Sequence, residues 1–495
     1  MIIEILLFIL TVIGVYYFYS YKRLHGYFEE KGVRFLPGWP LFGNMVASTF
    51  QRKHMLEEFE ATYAAFPDDK YVGFFEYTMP ILMIRDPELI KNITVKDFDH
   101  FTDHREFFSE ELDPLVGGSL LLMKGDRWRD MRATLSPAFT ASKMKYMLPF
   151  IKDITNNIVD HLNNNQNIDV DAEDLMRRYA NDVIASAGFG VQVNSLKDRD
   201  NEFYKAGNGI FDFSLGQKLL MIIFTLSPAL TKKLGVRFFS DRVYNFFTQL
   251  VETTIEYRTK EKVARPDMIQ LLMEAKKEWT PLELTGQVFI FFTAGFDTSA
   301  TTLTMTIHEL ALNPDVQDKL YQECRKFKEE KELTFDSLSD LKYLDAVINE
   351  SLRIWCPAII LDRTCTKAYE LPPPREGGKP YTIKPGDVVY NLVNQAQLDP
   401  KYWPDPYKFD PERFSEENKH NIKPYTFMPF GVGPRACVGN RFALMELKVL
   451  LYQLILNFKI LKTAKTSNPI KMVPKGFSIR AIGGTHVQFE KRRQE

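Results

Sequence analysis

The segment Phe430-Gly431-Val432-Gly433-Pro434-Arg435-Ala436-Cys437-Val438-Gly439 constrains this chain more than any other stretch. A glycine-rich turn carries one cysteine to the start of an amphipathic run through Phe442, Met445, Leu447 and Leu450. Glycines let the backbone approach a flat ligand closely, and the unpaired amides and dipole of a helix start favour a thiolate. Those are the requirements of a metal-ligating sulfur. A lone cysteine is ordinarily a small buried hydrophobe, and it is the flanking residues that reverse this reading. Cys324, Cys356 and Cys365 are scattered without CxxC spacing, which argues against a disulfide scaffold or a structural zinc site and fits a reducing compartment. None of the eight histidines falls inside the loop.

A second segment delimits the longest element. Thr280-Pro281-Leu282-Glu283 joins a capping-box pattern to proline at the first helical position, and Asn313-Pro314 ends the run. The helix between them spans roughly 32 residues, or ~48 Å at 1.5 Å per residue. At its middle, Ala294-Gly295-Phe296-Asp297-Thr298-Ser299 breaks an apolar stretch with a glycine, an acid and hydroxyls. A mid-helix glycine costs ~1 kcal/mol against alanine, and a threonine hydroxyl competes for backbone carbonyls and bends the helix. Alone, this pattern describes a kink.

Helical patterns dominate up to about residue 355, with short strand-like runs at Tyr71–Phe75, Ile81–Ile84 and Val388–Val393 and near the C-terminus. No repeat and no long linker divides the body of this 495-residue chain. The expected fold is therefore mainly α with small β-sheets, an α+β architecture in one large domain. The 63 Lys and Arg against 64 Asp and Glu leave no field for a general nucleic-acid binder, so no nucleic-acid partner is expected.

Residues 1–21 carry Glu4 as their sole charged side chain, which is close to the ~20 apolar residues that cross a bilayer. Tyr16, Tyr17, Phe18 and Tyr19 close the run where a cleaved signal would carry small residues, so a retained anchor is expected. Lys22 and Arg23 follow and place the remainder on the cytosolic side, leaving the sequon Asn92-Ile93-Thr94 unglycosylated. Residues 22–43 read as a basic and Pro/Gly-rich hinge, in which Leu36-Pro37-Gly38-Trp39-Pro40 and Gly43 form a stiff non-helical link, ahead of a body from 44 to 495.

With these residues in view, Phe430 to Gly439 resembles the haem-binding signature of the cytochrome P450 family, with every usual position filled. The resemblance implies that Cys437 is the axial thiolate of haem b (iron protoporphyrin IX), with Phe430 and Gly439 in the cofactor-binding loop. It further implies that the long helix crosses the haem and that Asp297 and Thr298 deliver protons to bound dioxygen. Glu350-Ser351-Leu352-Arg353, by spacing alone a weak i, i+3 ion pair, would form a buried structural network with Arg413 from Phe409-Asp410-Pro411-Glu412-Arg413-Phe414. Trp128, Arg132, Arg363 and Arg435 match positions that meet the haem propionates. Gln397 departs from the histidine many relatives carry, with no catalytic consequence expected.

The whole chain follows the order of a microsomal member of the family, most like the insect and vertebrate branch that oxidises drugs, insecticides and plant toxins. That implies a haem-thiolate monooxygenase of the endoplasmic reticulum membrane with a cytosolic catalytic domain. Its electrons would come from NADPH-cytochrome P450 reductase, with cytochrome b5 as an optional second donor. Arg129, Lys143, Lys145, Lys423 and Lys448 would offer the reductase positive charge. Phe101 to Met123 and Ala358 to Leu361 would contact an apolar small-molecule substrate, and Leu219 to Phe224 would meet membrane lipid. The alternative substrates are endogenous lipids, steroids or hormones; a peroxide-rearranging enzyme or a non-catalytic haem protein would not need Asp297 and Thr298.

Overall fold

The structure, a computed structural model, describes residues 2–108, 110, 113–165, 168–235, 237–265, 267–275 and 279–493. Its longer helices are, in chain order, α1 (Ile2–Glu29), α2 (Met55–Ala65), α3 (Gly125–Leu135), α4 (Ala141–Asn164), α5 (Ala172–Val183), α6 (Leu215–Leu226), α7 (Asp241–Glu261), α8 (Pro281–Leu312), α9 (Pro314–Glu330), α10 (Lys342–Ile354) and α11 (Asn440–Asn457). The strands are β1 (Tyr71–Glu76), β2 (Met79–Ile84), β3 (Asp169–Asp171), β4 (Ile360–Thr364), β5 (Tyr369–Leu371), β6 (Tyr381–Ile383), β7 (Val388–Leu392), β8 (Phe458–Lys462) and β9 (His486–Lys491).

Helix α8 forms between the predicted signals. The Thr280 hydroxyl accepts from the Glu283 amide at 3.2 Å, and the Glu283 carboxylate accepts from the Thr280 amide at 2.8 Å. Such reciprocal capping satisfies amides that the first turn would otherwise leave unpaired. Thr293, Thr298, Thr302, Thr304 and Thr306 each donate to the carbonyl four residues back, so none of these hydroxyls is left as an unmet donor. The helix belongs to two cores. Val288, Phe289, Phe292 and Phe296 pack among phenylalanines, whereas Leu303, Ile307 and Leu310 pack among the aliphatic side chains of α4, α5, α9, α10 and α11. Ala294 to Ser299 lies where the two meet.

The main sheet runs β1-β2-β7-β4, with β2 and β7 parallel and the other pairs antiparallel. β4 is an edge strand of this sheet, paired with β7 from Ile360 opposite Leu392 to Thr364 opposite Val388. The remaining sheets are β3-β9-β8 and β5-β6.

Helix α1 continues past the anchor boundary at residue 21 and through Lys22 and Arg23, ending at Glu29. Leu24 and Phe28 in its last turns are buried beside Tyr71, Phe75 and Leu82, so the body begins there, within the expected hinge. Gly73 makes room for this docking: a Cβ there would stand 2.5 Å from the Phe28 ring. Beyond the helix the Leu36–Pro40 link is non-helical, and Trp39 and Gly43 exchange backbone hydrogen bonds of 2.7 and 2.6 Å. Among the described residues no helix is long and apolar enough to cross a membrane. The side chains of residues 2–10, 12 and 13, most of the expected anchor, lie outside the described set.

Candidate active site

The cysteine loop is folded by its own backbone. Gly431 donates to the Met428 carbonyl at 3.0 Å, Ala436 to Gly433 at 3.0 Å, and Cys437 to Phe430 at 2.8 Å. Gly433 has φ of 73° and a Cβ there would overlap the carbonyl of Thr94, so only glycine fits. Gly439 precedes the first residue of α11, placing Cys437 just ahead of the helix start. Cys437 is exposed, and what it faces is an internal cavity; Cys324, Cys356 and Cys365 are buried elsewhere. Burial pushes the Cys437 thiol above its ordinary range, although the Gly439 amide and Arg132 pull it down. The helix start alone does not supply the expected thiolate, whereas a coordinated cation would deprotonate the sulfur outright.

The cavity measures about 470 Å³. Phe108, Phe238, Phe239, Phe289 and Phe477 wall it on one side, Leu352, Ala443 and Leu447 on the other, and Cys437 opens into it. The expected contact regions reach it through Phe107, Val116 and Leu121 and through Ala358 to Leu361. Of the Leu219 to Phe224 segment, Met221 lines the cavity, Phe224 packs on Phe108 at 5.6 Å, and Leu219 and Ile223 face outward.

Cations gather at one edge. Arg435 stacks on Trp128 at 3.9 Å and donates to the carbonyls of Thr102 (2.9 Å) and Met123 (2.8 Å). Burial and then repulsion from Arg363 pull its guanidinium down to about 9, and burial also lowers Arg132 and Arg363. The Nε of Arg363 is buried with no partner among the described residues. His104 completes the edge, with Nδ1 2.9 Å from Asp362 and 3.4 Å from Arg363. Burial keeps His104 below the ordinary histidine range, and it lines the cavity. His104 falls within the expected Phe101 to Met123 contact region, but nothing in the sequence marked it as a partner of Asp362.

Across the cavity, Ala294 and Thr298 present the exposed face of α8. The Thr298 hydroxyl donates to the Ala294 carbonyl at 2.7 Å. Asp297 borders the same cavity, but both of its oxygens are engaged elsewhere. Arg177 donates to one and Ser478 to the other, each at 2.7 Å. Acid and alcohol are therefore neighbours without a direct hydrogen bond. Gly295 lets Ile184 approach, since a Cβ would stand 2.9 Å from its Cδ1.

Behind the loop, Glu350 and Arg353 are wholly buried and joined by bonds of 2.7 and 2.8 Å, with Arg413 3.4 Å from Glu350. Gln397 has a structural part in this network that the sequence did not reveal. Its amide donates to the carbonyls of Leu352 (2.9 Å) and Arg353 (3.0 Å) and accepts from Met428 (2.9 Å), tying the end of α10 to the approach of the cysteine loop. The expected reductase-facing charges need correction at Lys448, which is buried and bound to Asp345 at 2.5 Å and the Leu338 carbonyl at 3.1 Å. Arg129 and Lys145 are exposed but paired with Asp126 and Asp336, Lys143 is half-buried, and Lys423 is exposed above the Tyr402 ring.

Comparison with known proteins decides the family. The cytochrome P450 family profile matches residues 33–486. Cytochrome P450 9e2 of Blattella germanica is 40% identical, with 95% of each chain covered. Probable cytochrome P450 9f2 of Drosophila melanogaster is 39% identical over 98% of this chain and 99% of its own. Probable cytochrome P450 6a13 of the same fly is 34% identical over 97% of both. The chain belongs to the cytochrome P450 family. It is a monooxygenase, and family members bind haem.

The residues fit that group. One sulfur opens into an apolar cavity, its ionisation dependent on a cation, and Arg435, which lines that cavity with Asp103 at 3.6 Å, is repelled by Arg363 and Arg132, two guanidiniums that burial also disfavours and that carboxylates would stabilise. In this cytochrome P450, Cys437 would ligate the iron, and Arg132, Arg363, Arg435 and His104 would hold the propionates. When bound, haem supplies the iron at which dioxygen is activated, with a thiolate feeding electron density toward it. The chain's own contribution is to keep that sulfur single, exclude water with the phenylalanine wall, and hold hydroxyls on α8 where protons must arrive.

Proposed function

We propose that this monooxygenase uses haem b to oxidise apolar xenobiotics, insecticides and plant toxins among them. The observation that carries the reading is the cavity. The haem would occupy the part of it beside Cys437, Arg435 and His104, and the remaining wall of Phe107, Phe108, Phe238, Phe239 and Phe289 suits compact hydrophobic compounds and offers little to a charged one. Electrons arrive from NADPH-cytochrome P450 reductase at the surface near Arg129, Lys145 and Lys423, and cytochrome b5 acts as a second donor.

The enzyme works on the cytosolic face of the endoplasmic reticulum membrane, held by residues 1–21. Two observations support this placement. Val15 to Tyr19 and Tyr21 are exposed aromatic or apolar side chains at the distal part of α1. On α6 and just beyond it, Leu215, Leu219, Ile223, Leu226 and Leu230 form an exposed stripe, while Met221 and Phe224 of the same helix reach the cavity and its wall. A helix that is apolar on both faces suits a protein that takes its substrate from lipid.

The test is to titrate the purified haem protein with a panel of apolar compounds and read displacement of the distal water from the iron spectrum. Saturable shifts with insecticides and plant terpenoids, followed by NADPH- and reductase-dependent oxidation, are expected. Tight binding confined to steroids or fatty acids would replace this substrate class with an endogenous one.

A further inference from the structure

Among the described residues at the cation edge of the cavity, His104 is the group whose charge can change near neutrality. It lines the cavity, with Nδ1 2.9 Å from an Asp362 oxygen and 3.4 Å from the Arg363 guanidinium. The shorter contact places the ring proton on Nδ1, donated to Asp362, and Nε2 has no hydrogen-bond partner among the described residues. Asp362 is held in turn, because its other oxygen accepts from the Arg105 amide at 2.5 Å. The Arg105 guanidinium itself is turned to Glu76 and the Tyr390 hydroxyl. The charges that act on the ring are therefore Asp362 and Arg363 of β4 and Arg435 of the cysteine loop, which Asp103 meets at 3.6 Å. Burial holds the ring below the ordinary histidine range, opposed by Asp362 and helped by the two arginines. Two propionates placed here would screen those arginines and bring the ring back toward that range.

We propose that His104 is a redox-linked proton site, taking up a proton at Nε2 when an electron reaches the haem it faces. The electron comes from the redox partner and the proton from solvent. One O–H bond of hydronium breaks and one N–H bond forms, so the negative charge brought by the electron is balanced beside the propionates. An added negative charge raises the pKa of a base close to it, and more strongly in a dry site than in water. By linkage, the protonated imidazole favours the reduced state by the same free energy. Arg363 and Arg435 cannot act in this way, because a guanidinium keeps its charge through both states. The inference rests on the haem placement argued above and holds whatever the substrate. It makes His104 the residue through which pH sets how readily the enzyme accepts its first electron.

The experiment uses the substrate-free, haem-loaded enzyme. Spectroelectrochemical titration gives its reduction potential at each pH from about 5 to 8, the span in which a histidine changes charge. An indicator dye in weak buffer counts the protons taken up on reduction. In the wild type the potential should rise as pH falls through this span, with proton uptake that peaks where the slope is steepest. His104→Gln should hold the low potential of the alkaline wild type at every pH and take up no proton. His104→Arg carries a fixed charge, so its potential should also be flat but lie near the acid value of the wild type. The reduced carbon monoxide band should be normal in all three proteins. A purely structural role would displace the potential and leave its slope in place. A flat wild-type profile, or the wild-type slope and proton uptake persisting in His104→Gln, would overturn the proposal. If His104→Gln fails to retain haem, a wild-type slope in His104→Arg would overturn it equally.

Discussion

On the side that carries Cys437, the cavity is supported by buried charge, whereas its opposite wall is a lattice of phenylalanine rings. The Glu350, Arg353 and Arg413 cluster, with Gln397 bridging to Met428, leaves each partner one arrangement: two wholly buried ions and an amide bonded at both ends. The wall is redundant. Phe238 alone meets Phe108 at 4.5 Å, Phe213 at 5.1 Å and Phe239 at 5.2 Å, and Phe239 passes the contact on to Phe289 at 5.2 Å. Directional bonds in a dry site are costly to leave unmade, while ring contacts are small, numerous and adjustable. One side must hold a sulfur in a single place, and the other must accept substrates of differing shape.

The difference predicts unequal responses to mutation. Glu350→Gln leaves Arg353 buried without its charge partner, which costs ~3–5 kcal/mol. The expected result is loss of folded holoprotein, read as a missing carbon monoxide band and a collapsed melting transition. Phe238→Ala removes ring pairs worth about 0.5–1.5 kcal/mol each beyond the burial of the ring itself, at a position that already borders the cavity and leaves no charge unpaired. It should keep its haem spectrum while changing which compounds bind in titrations. A Phe238→Ala protein without haem, or a Glu350→Gln protein with a wild-type melt, would erase the contrast.

Acid should attack the charged side first. His104 is held below its ordinary value by burial, and Asp362 is held down at about 2, chiefly by His104 against the cost of burial. Both are lower in the folded protein than in the unfolded chain, so both stabilise at neutral pH and lose that contribution as pH falls. The loss begins below about 6.5 for His104 and runs from about 4 to 2 for Asp362. Melting temperature followed from neutral to acid pH should decline along this course, with the same profile in Phe238→Ala and a flatter one in His104→Gln.

The smallest effect is expected at the N-terminus. Deleting residues 1–21 spares Leu24 and Phe28, which are buried against β1, so melting temperature and haem spectrum should match the full chain. Detergent-free extraction should become possible, with residual binding to lipid vesicles through the α6 stripe. Extension of the deletion through Phe28 should lower the melting temperature.

What was legible in the sequence was local. The capping box and terminal Asn-Pro of α8 lie within a few residues of the atoms they satisfy, and the glycines of the cysteine loop carry their own conformational demand. The side-chain partners of the site were not legible, because tertiary packing sets them. Asp297 is bound by Arg177, 120 residues away, and by Ser478, 181 residues away. Glu446 and Lys448 stand two apart on one helix and look alike as surface charges. Packing buries both, giving one a serine and the other an aspartate. Gln397 reads as a tolerated departure until its three hydrogen bonds are seen.

The site depends on one sulfur. Cys437 alone of the four cysteines opens into the cavity. The decisive measurement is the absorption spectrum of the reduced carbon monoxide complex in serine variants at all four positions. Cys437→Ser should lose the red-shifted band of a thiolate-ligated haem, while Cys324→Ser, Cys356→Ser and Cys365→Ser retain it; a normal band in Cys437→Ser would contradict the assignment of the site.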